Sequence, residues 1–139
     1  MASSEAEARR QRFLANKEKF EGNYYAMQKA EYEKDHTVYF LEDGTSFSFG
    51  KSELSILFTP GHAPGHICFY SNKHNFIISG DIIFQMSIGR TDLPLGNYDT
   101  LIGSITQKLL PLPDSTQIYC GHGPNTVLGF EKEHNPFLQ

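Results

Sequence analysis

The spacing of apolar residues changes about a quarter of the way along the chain. Residues 3–34 are rich in Glu, Lys, Arg, Ala and Gln, contain no proline and carry an imperfect apolar stripe at helical spacing. The Ser-Glu-Ala-Glu stretch that starts at Ser4 matches a capping box, which favours a helix start. Gly22 followed by Asn23 predicts a break or bend. The pattern therefore predicts a helical segment over residues 1–35.

Beyond this segment, short apolar runs alternate with turn residues, which is typical of β-strands. The runs are residues 37–41, 46–49, 53–58, 66–70, 76–79 and 117–120. Gly44 lies in the turn between the first two runs, where a hairpin needs a residue that readily adopts a positive φ. The pattern predicts about six strands and leaves their parallel or antiparallel pairing open.

One helix is predicted between the last two strands, over residues 98–110, and prolines follow it and end it. Three of its apolar residues recur at every fourth position and share one face. They are Leu101, Ile105 and Leu109. A final helical turn is expected within residues 131–139. Strands with helices before, among and after them indicate an α/β layered fold.

Charge and composition narrow the possible partners. The 139 residues include 12 Lys and Arg against 16 Asp and Glu, which gives a net charge of -4. Nucleic acids and anionic membranes bind clustered basic surfaces, so neither is expected as a partner. The acidic, alanine-rich N-terminus does not have the layout of a signal peptide, and no apolar run is long enough to span a bilayer. A cytoplasmic location is therefore expected.

Three candidate metal ligands follow apolar runs that end in glycine-bearing turns. They are His62, Asp81 and His122. Strand ends hold side chains rigidly and leave them open to a substrate. A carboxylate at the buried end of a strand needs a partner, and a divalent cation is an adequate one. Two imidazoles and a carboxylate suit zinc or iron(II), which lower the pKa of bound water.

Two histidines compete for the ligand role in the Thr-Pro-Gly-His-Ala-Pro-Gly-His stretch of residues 59–66. Its prolines and glycines exclude a helix, so the two rings do not share a helical face. His62 is the better candidate ligand, and His66, which opens the next strand, is the better candidate for orienting a neighbouring group. The other reading is that each candidate is a hydrogen-bonded structural residue. His36, His74 and His134 are expected to be surface residues.

Five segments, in order along the chain, resemble the metallo-β-lactamase-fold hydrolases, specifically their glyoxalase II-like (hydroxyacylglutathione hydrolase-like) branch. They are residues 59–70 (TPGHAPGHICFY), 79–81 (SGD), 87–94 (SIGRTDLP), 121–124 (GHGP) and 129–138 (GFEKEHNPFL). The resemblance implies an αββα sandwich, in which two mixed sheets lie between helices and a metal centre lies at one edge.

The resemblance also implies roles for the candidate residues. His62 and His122 would be ligands to different metals, and Asp81 would bridge the two and serve as the catalytic carboxylate. The implied metal is zinc, with iron or manganese as alternatives. The implied reaction is hydrolysis of a small-molecule thioester or related ester by metal-bound hydroxide. Arg90 would bind a substrate carboxylate, although pairing with Asp92 is an equally good interpretation.

The chain also departs from the family pattern. The family's principal metal motif, H-x-H-x-D-H, is absent, because no two histidines are spaced two apart. The resemblance therefore assigns residues 36–139 to the C-terminal half of the sandwich, with the N-terminal half absent. Neither metal would then have more than two protein ligands, fewer than the three of a catalytic zinc site.

Two further expectations follow from this assignment. The apolar helix face that includes Leu101 and the inner faces of the strands would lack half of their partners. Such an exposed surface favours a homo-oligomer or association with the missing N-terminal half. In addition, Gly123 and Pro124 stand where glutathione-specific relatives are expected to carry an aromatic hydroxyl, which argues against glutathione as the thiol portion.

Three hypotheses remain. The favoured one is a metal-dependent thioester hydrolase of the metallo-β-lactamase superfamily with an incomplete site in this chain. The second is a truncated, non-catalytic module that oligomerises and keeps vestigial ligands. An iron-dependent sulfur dioxygenase of the same fold is the third.

Overall fold

A six-stranded mixed sheet is the framework of residues 41–139, which together with Ala8 are the residues that the computed structural model describes. The chain divides into two compact units, residues 1–40 and residues 41–139. The predicted helical segment over residues 1–35 lies outside the described residues, except for Ala8, which is helical. The predicted strand over residues 37–41 also lies outside them, except for its last residue.

Eight strands are present in the described part of the chain. They are β1 (Ser46–Phe49), β2 (Ser52–Phe58), β3 (Ile67–Ser71), β4 (Phe76–Gly80), β5 (Ile83–Phe84), β6 (Ser87–Ile88), β7 (Gln117–Cys120) and β8 (Thr126–Val127). The order across the large sheet is β1-β2-β3-β4-β7-β8, and β5 and β6 form a separate hairpin. The five predicted runs from residue 46 onward are confirmed to within one residue at each end.

The pairing that the sequence left open is mixed. Strands β1 to β4 form an antiparallel meander, β7 joins β4 in parallel, and β8 returns antiparallel to β7. A parallel connection needs a crossover of a dozen or more residues, and the helix predicted over residues 98–110 lies in that crossover. Because β2 and β4 flank an antiparallel neighbour, β2, β4 and β7 all run the same way. Their carboxyl ends therefore lie at one edge of the sheet.

The crossover helix begins as α1 (Tyr98–Ser104) and continues as a π-helical turn, Ile105–Leu109. The Asn97 side chain caps it by accepting a hydrogen bond from the Thr100 backbone N–H at 2.9 Å. The backbone N–H of Leu110 then donates to the Ile105 carbonyl at 3.0 Å, which is the five-residue spacing of a π turn.

The predicted exposure of this helix face is wrong. All three of its apolar residues, Leu101, Ile105 and Leu109, are fully buried. They belong to the same core as one face of the sheet, which contributes Tyr70, Ile77 and Ile118 among others. The expectation failed because a single sheet face already provides a complete partner for one helix.

The opposite face of the sheet presents apolar side chains. Ile78 and Tyr119 are opposite each other on β4 and β7 and are 42% and 44% exposed. The Phe76 ring meets the Tyr119 ring edge-on at 5.6 Å. The predicted association with a second copy or with an N-terminal half stays a prediction.

The last helix, α2 (Leu128–His134), begins earlier than the predicted final turn. It buries Glu131 completely, together with Asn135 just after the helix. The Glu131 carboxyl accepts hydrogen bonds from the Met86 backbone N–H at 2.8 Å, the Asn135 amide at 3.0 Å and the Thr126 hydroxyl at 2.5 Å. Met86 has a φ of 62° in the turn between β5 and β6. This buried carboxyl therefore ties the small hairpin to the end of the chain.

Both cysteines are free, and they differ in their surroundings. Burial raises the pKa of the Cys68 thiol to about 12 and also raises that of Cys120, which is only partly buried. A protonated, inaccessible thiol is a poor nucleophile.

We expect Cys68 to resist iodoacetamide at pH 8 until the protein unfolds and Cys120 to react slowly in the folded state. Mass spectrometry over a labelling time course checks this, and rapid labelling of Cys68 in the folded protein would contradict it.

None of the helices in the described residues is long and apolar enough to cross a membrane.

Candidate metal centre

The carboxylate of Asp81 lies between the imidazoles of His62 and His122. Its Oδ2 is 3.7 Å from His62 Nε2, and its Oδ1 is 3.3 Å from His122 Nε2. The His62 side chain is 20% exposed, that of Asp81 36% and that of His122 76%. The structure thus brings the three predicted ligands together, with one carboxylate oxygen facing each ring.

The sheet topology explains why residues so far apart in sequence meet. His62 follows β2, Asp81 follows β4 and His122 follows β7. These three strands run the same way, so the residues after their carboxyl ends gather at one edge. Each ligand is therefore held by a turn at the end of a hydrogen-bonded strand.

The hydrogen bonds of His62 leave Nε2 with a lone pair. Its Nδ1 is 2.8 Å from the backbone carbonyl oxygen of Arg90. A carbonyl oxygen only accepts hydrogen bonds, so Nδ1 carries the proton and Nε2 of the neutral ring does not. That nitrogen faces an oxygen of Asp81, which is also an acceptor. A cation between two facing acceptors satisfies both, and this donor set fits a divalent metal.

Each oxygen of Asp81 has one imidazole neighbour, so each pair offers two ligands. Within residues 41–139 and Ala8, no three His, Cys, Asp or Glu side chains form a group suited to hold one ion. The described residues thus provide two ligand pairs that share a carboxylate.

Glycines surround Asp81 at points where no side chain fits. A Cβ at Gly121 would overlap Oδ1 of Asp81, and a Cβ at Gly89 would overlap its backbone oxygen. Gly80, the residue before Asp81, has a φ of 54°, which favours glycine. The resembling segments contain these glycines, but the need for glycine at each position could not be predicted from the sequence, because a close approach of backbone to a side chain is visible only in three dimensions.

Gly121→Ala should therefore weaken metal binding, because the new methyl group displaces the Asp81 carboxylate. We expect a loss of zinc affinity of roughly tenfold or more, comparable with the loss of a group that orients a ligand. Isothermal titration of the metal-free protein with zinc measures it. Gly103→Ala is the matched control, since a Cβ there meets nothing within 4 Å. Equal affinities of the two variants would contradict the crowding argument.

His66 does not face the Asp81 carboxylate as His62 and His122 do, but it contacts the Asp81 backbone. Its Nε2 accepts a hydrogen bond from the Asp81 backbone N–H at 3.2 Å, and its Nδ1 is 2.9 Å from Thr59 Oγ1. Burial lowers the pKa of His66, and the neighbouring His62 adds to this effect. His66 therefore contacts the backbone of a neighbouring candidate ligand, and its supporting role stays a prediction. Thr59 was missed because a buried threonine carries no sequence signal.

The Arg90 guanidinium pairs with Asp92 in the structure. Its Nε and one terminal nitrogen donate to the two Asp92 oxygens, both at 2.8 Å. The hydrogen bond from Arg90 holds the pKa of Asp92 at about 2. The pair is exposed, and the backbone carbonyl of Arg90 is the part that contacts His62. Binding of a substrate carboxylate by Arg90 stays a prediction.

Two of the predicted surface histidines are confirmed, since His74 and His134 are exposed. His36 lies outside the described residues. Glu131 and Asn135 were quoted only as part of a resembling segment, and their buried hydrogen bonds were not predicted. A lone Glu on a helix with an amphipathic pattern is normally read as surface, so the sequence offers no signal for its burial.

A sequence model of one protein family, described as the metallo-beta-lactamase superfamily, matches residues 3–122. Two curated relatives are similar over most of this chain. The probable metallo-hydrolase YqgX of Bacillus subtilis is 46% identical over 104 residues, which are 75% of this chain and 48% of that protein. The hydroxyacylglutathione hydrolase GloC of Haemophilus influenzae is 47% identical over 100 residues, which are 72% of this chain and 47% of that protein.

A solved structure of TTHA1623 in a di-iron-bound form is also similar. It has 42% sequence identity and a TM-score of 0.67, and the match covers 73% of this chain and 49% of that one. The chain therefore spans about half the length of the relatives it matches.

Proposed function

The chain belongs to the metallo-beta-lactamase superfamily, and we propose that it supplies part of a two-metal hydrolase centre through His62, Asp81 and His122. The observation that carries the proposal is the position of Asp81, with one oxygen toward each imidazole at 3.7 Å and 3.3 Å. A carboxylate that faces two separate nitrogen ligands is suited to bridge two cations. The proposed substrate is a small-molecule thioester or related ester.

Each residue has a distinct part in this proposal. His62 is fixed by the Arg90 carbonyl, so its Nε2 points to one metal position without rotation of the ring. Asp81 serves both positions and is held by the crowded backbone around it. His122 is the most exposed of the three, and its ring lies 5.8 Å from the Phe84 ring. Bound cations would supply a Lewis acid and a water molecule of lowered pKa.

Zinc is the proposed metal, because imidazole and carboxylate ligands suit it well. Iron is the main alternative, and the di-iron form of TTHA1623 favours testing it. Manganese remains a further choice for the same ligand set.

A thioester substrate is supported by the similarity to GloC, which is named as a hydroxyacylglutathione hydrolase. Arg90 is proposed to bind a substrate carboxylate, which would replace Asp92 as its partner. An exposed ion pair contributes little to stability because water and salt screen it, so the exchange costs little. Gly123 and Pro124, directly after His122, offer no hydroxyl to a glutathione moiety. We therefore propose an acyl thioester without a requirement for glutathione.

The test is hydrolysis by the full 139-residue chain after loading with zinc, and separately with iron. A hydroxyacylglutathione and an acyl thioester of a simple thiol are the two substrates, and release of free thiol is the signal. Metal-dependent turnover that is lost in His62→Ala and retained in His74→Ala, whose ring is exposed, would support hydrolysis at this centre. Absence of metal-dependent turnover with either substrate would contradict hydrolysis by this chain.

One observation favours the second candidate, a non-catalytic module that oligomerises. Each metal position has two ligands among the described residues, and a catalytic zinc normally has three. Metal binding without hydrolysis by an oligomer, shown by elemental analysis and light scattering on one sample, would favour this candidate.

Oxygen consumption by the iron-loaded chain with a persulfide, without thioester hydrolysis, would favour the sulfur dioxygenase alternative.

A further inference from the structure

The Asp81 backbone N–H lies at a point where the sheet no longer pairs regularly. The β4–β7 ladder shifts register between Ile78 and Gly80, and Gly80 then turns with a φ of 54°. Beyond that turn, the Asp81 N–H donates to Nε2 of His66 at 3.2 Å. A side chain therefore holds the backbone of the bridging residue in place of a strand neighbour.

The hydrogen bonds of His66 admit only one form of its ring. The Asp81 N–H only donates, so Nε2 of His66 is an acceptor and carries no proton. The proton of the neutral ring then lies on Nδ1, which donates to Thr59 Oγ1 at 2.9 Å. Thr59 is fully buried, and its own hydroxyl proton has Cys68 Sγ within reach at 3.3 Å.

The His66 ring also has little freedom to move. A Cβ at Gly80 would lie 2.6 Å from Nε2, so the ring rests directly on the glycine backbone. A ring confined in this way is fixed in position by packing, so its tautomer depends on the partners of both nitrogens, the Asp81 N–H at Nε2 and the Thr59 hydroxyl at Nδ1. With its own proton toward Cys68 Sγ, the Thr59 hydroxyl presents a lone pair to Nδ1 and so favours the tautomer that Asp81 requires.

We propose that Thr59 is a positioning residue for the metal-bridging carboxylate: it keeps His66 in the tautomer whose Nε2 accepts the Asp81 backbone N–H. The effect on the metal rests on the proposed function, whereas the effect on the Asp81 backbone does not. Without the Thr59 hydroxyl, the proton of His66 can move to Nε2, where it opposes the N–H of Asp81. The backbone of Asp81 then loses the hydrogen bond that holds it in position.

Thr59→Val tests the proposal, because it removes the hydroxyl and keeps the shape of the side chain. Thr59→Ser restores the hydroxyl. Thr116→Val is the matched control, since Thr116 is equally buried and its hydroxyl donates to the Pro113 carbonyl. The protein is the metal-free 139-residue chain, and nitrogen-15 shifts of the His66 ring report its tautomer. Hydrogen exchange reports the Asp81 amide.

In Thr59→Val we expect a mixture of His66 tautomers and roughly fivefold faster exchange at Asp81, the factor that loss of one ordinary hydrogen bond implies. Thr59→Ser and Thr116→Val should leave both signals as in the wild type. A structural role alone would change unfolding stability in both valine variants without changing the His66 tautomer. An unchanged tautomer and unchanged Asp81 exchange in Thr59→Val would overturn the proposal.

Zinc titration separates this proposal from the proposed function. If the wild type binds zinc, Thr59→Val should bind it roughly 10-fold to 100-fold more weakly, and equal affinity would overturn the role in the metal centre. If the wild type binds no zinc, the proposed function fails, while the tautomer and exchange data still support or overturn the effect of Thr59 on Asp81.

Discussion

Asp81→Asn is expected to lower the zinc affinity of the chain by at least roughly 100-fold, beyond the usual loss for a group that only orients a ligand. Asparagine keeps the shape of the side chain but has one oxygen, and its amide nitrogen does not bind a metal. One of the two imidazoles beside residue 81 would lose its oxygen partner, and the negative charge between them would be removed. Competition with a chromophoric chelator measures the change in the metal-free protein.

Asp92→Asn is the matched control for this experiment. Asp92 is exposed, pairs with Arg90 and contributes no oxygen to the space between His62 and His122. It should bind zinc as the wild type does. An Asp81→Asn protein with the affinity of the Asp92→Asn protein would show that Asp81 does not bind the metal.

Glu131→Ala is expected to destabilise the fold by about 3 to 5 kcal/mol, the largest stability effect predicted for a single side chain. The substitution removes the acceptor of the Met86 N–H, of the Thr126 hydroxyl and of one Asn135 amide hydrogen. The other hydrogen of that amide keeps the Ser87 carbonyl as its acceptor. It also leaves a cavity under α2. The free energy of unfolding from urea titrations, followed by circular dichroism, measures the loss.

Two control variants locate the cause of this effect. Glu131→Gln keeps the shape and one acceptor oxygen, and the Thr126 hydroxyl can rotate to accept from the new amide. It should cost less than half as much. Glu133→Ala changes an exposed residue of the same helix and should stay within about 0.5 kcal/mol of the wild type. A Glu131→Ala loss as small as that of Glu133→Ala would contradict the role of the buried carboxyl.

The strand and helix positions were largely predictable, because each long element has a clear apolar pattern. The runs over residues 46–49 and 117–120 are β1 and β7 without change. The short strands β5, β6 and β8 were missed, since a two-residue strand has no measurable period. Parallel pairing of β4 with β7 was not predictable from the local pattern, because it depends on how the crossover packs.

The predicted exposure of the apolar helix face was wrong because the sequence does not show what packs against that face. The resemblance suggested that Leu101, Ile105 and Leu109 would lack partners, yet they are fully buried in one core with a face of the sheet. A sequence pattern shows that a helix face is apolar, but not which element covers it. The exposed Ile78 and Tyr119 lie on the other face, where the predicted association can be tested.

The candidate metal ligands could be proposed from the sequence, but the groups that hold them in position could not. The turns after three strands pointed to His62, Asp81 and His122. The structure places the two imidazoles on either side of the Asp81 carboxylate. The groups that hold them were hidden, because their roles depend on contacts distant in sequence. His66 accepts a hydrogen bond from the Asp81 backbone N–H, Thr59 contacts His66, and the Arg90 carbonyl contacts the ring of His62.

Anomalous diffraction from crystals of the zinc-loaded chain, recorded on both sides of the zinc absorption edge, shows directly whether Asp81 lies between two bound metals. We expect zinc density between His62 Nε2 and Asp81 Oδ2 and between His122 Nε2 and Asp81 Oδ1. Anomalous density only at other histidines, such as His74 or His134, or zinc binding that leaves Asp81 free, would contradict it.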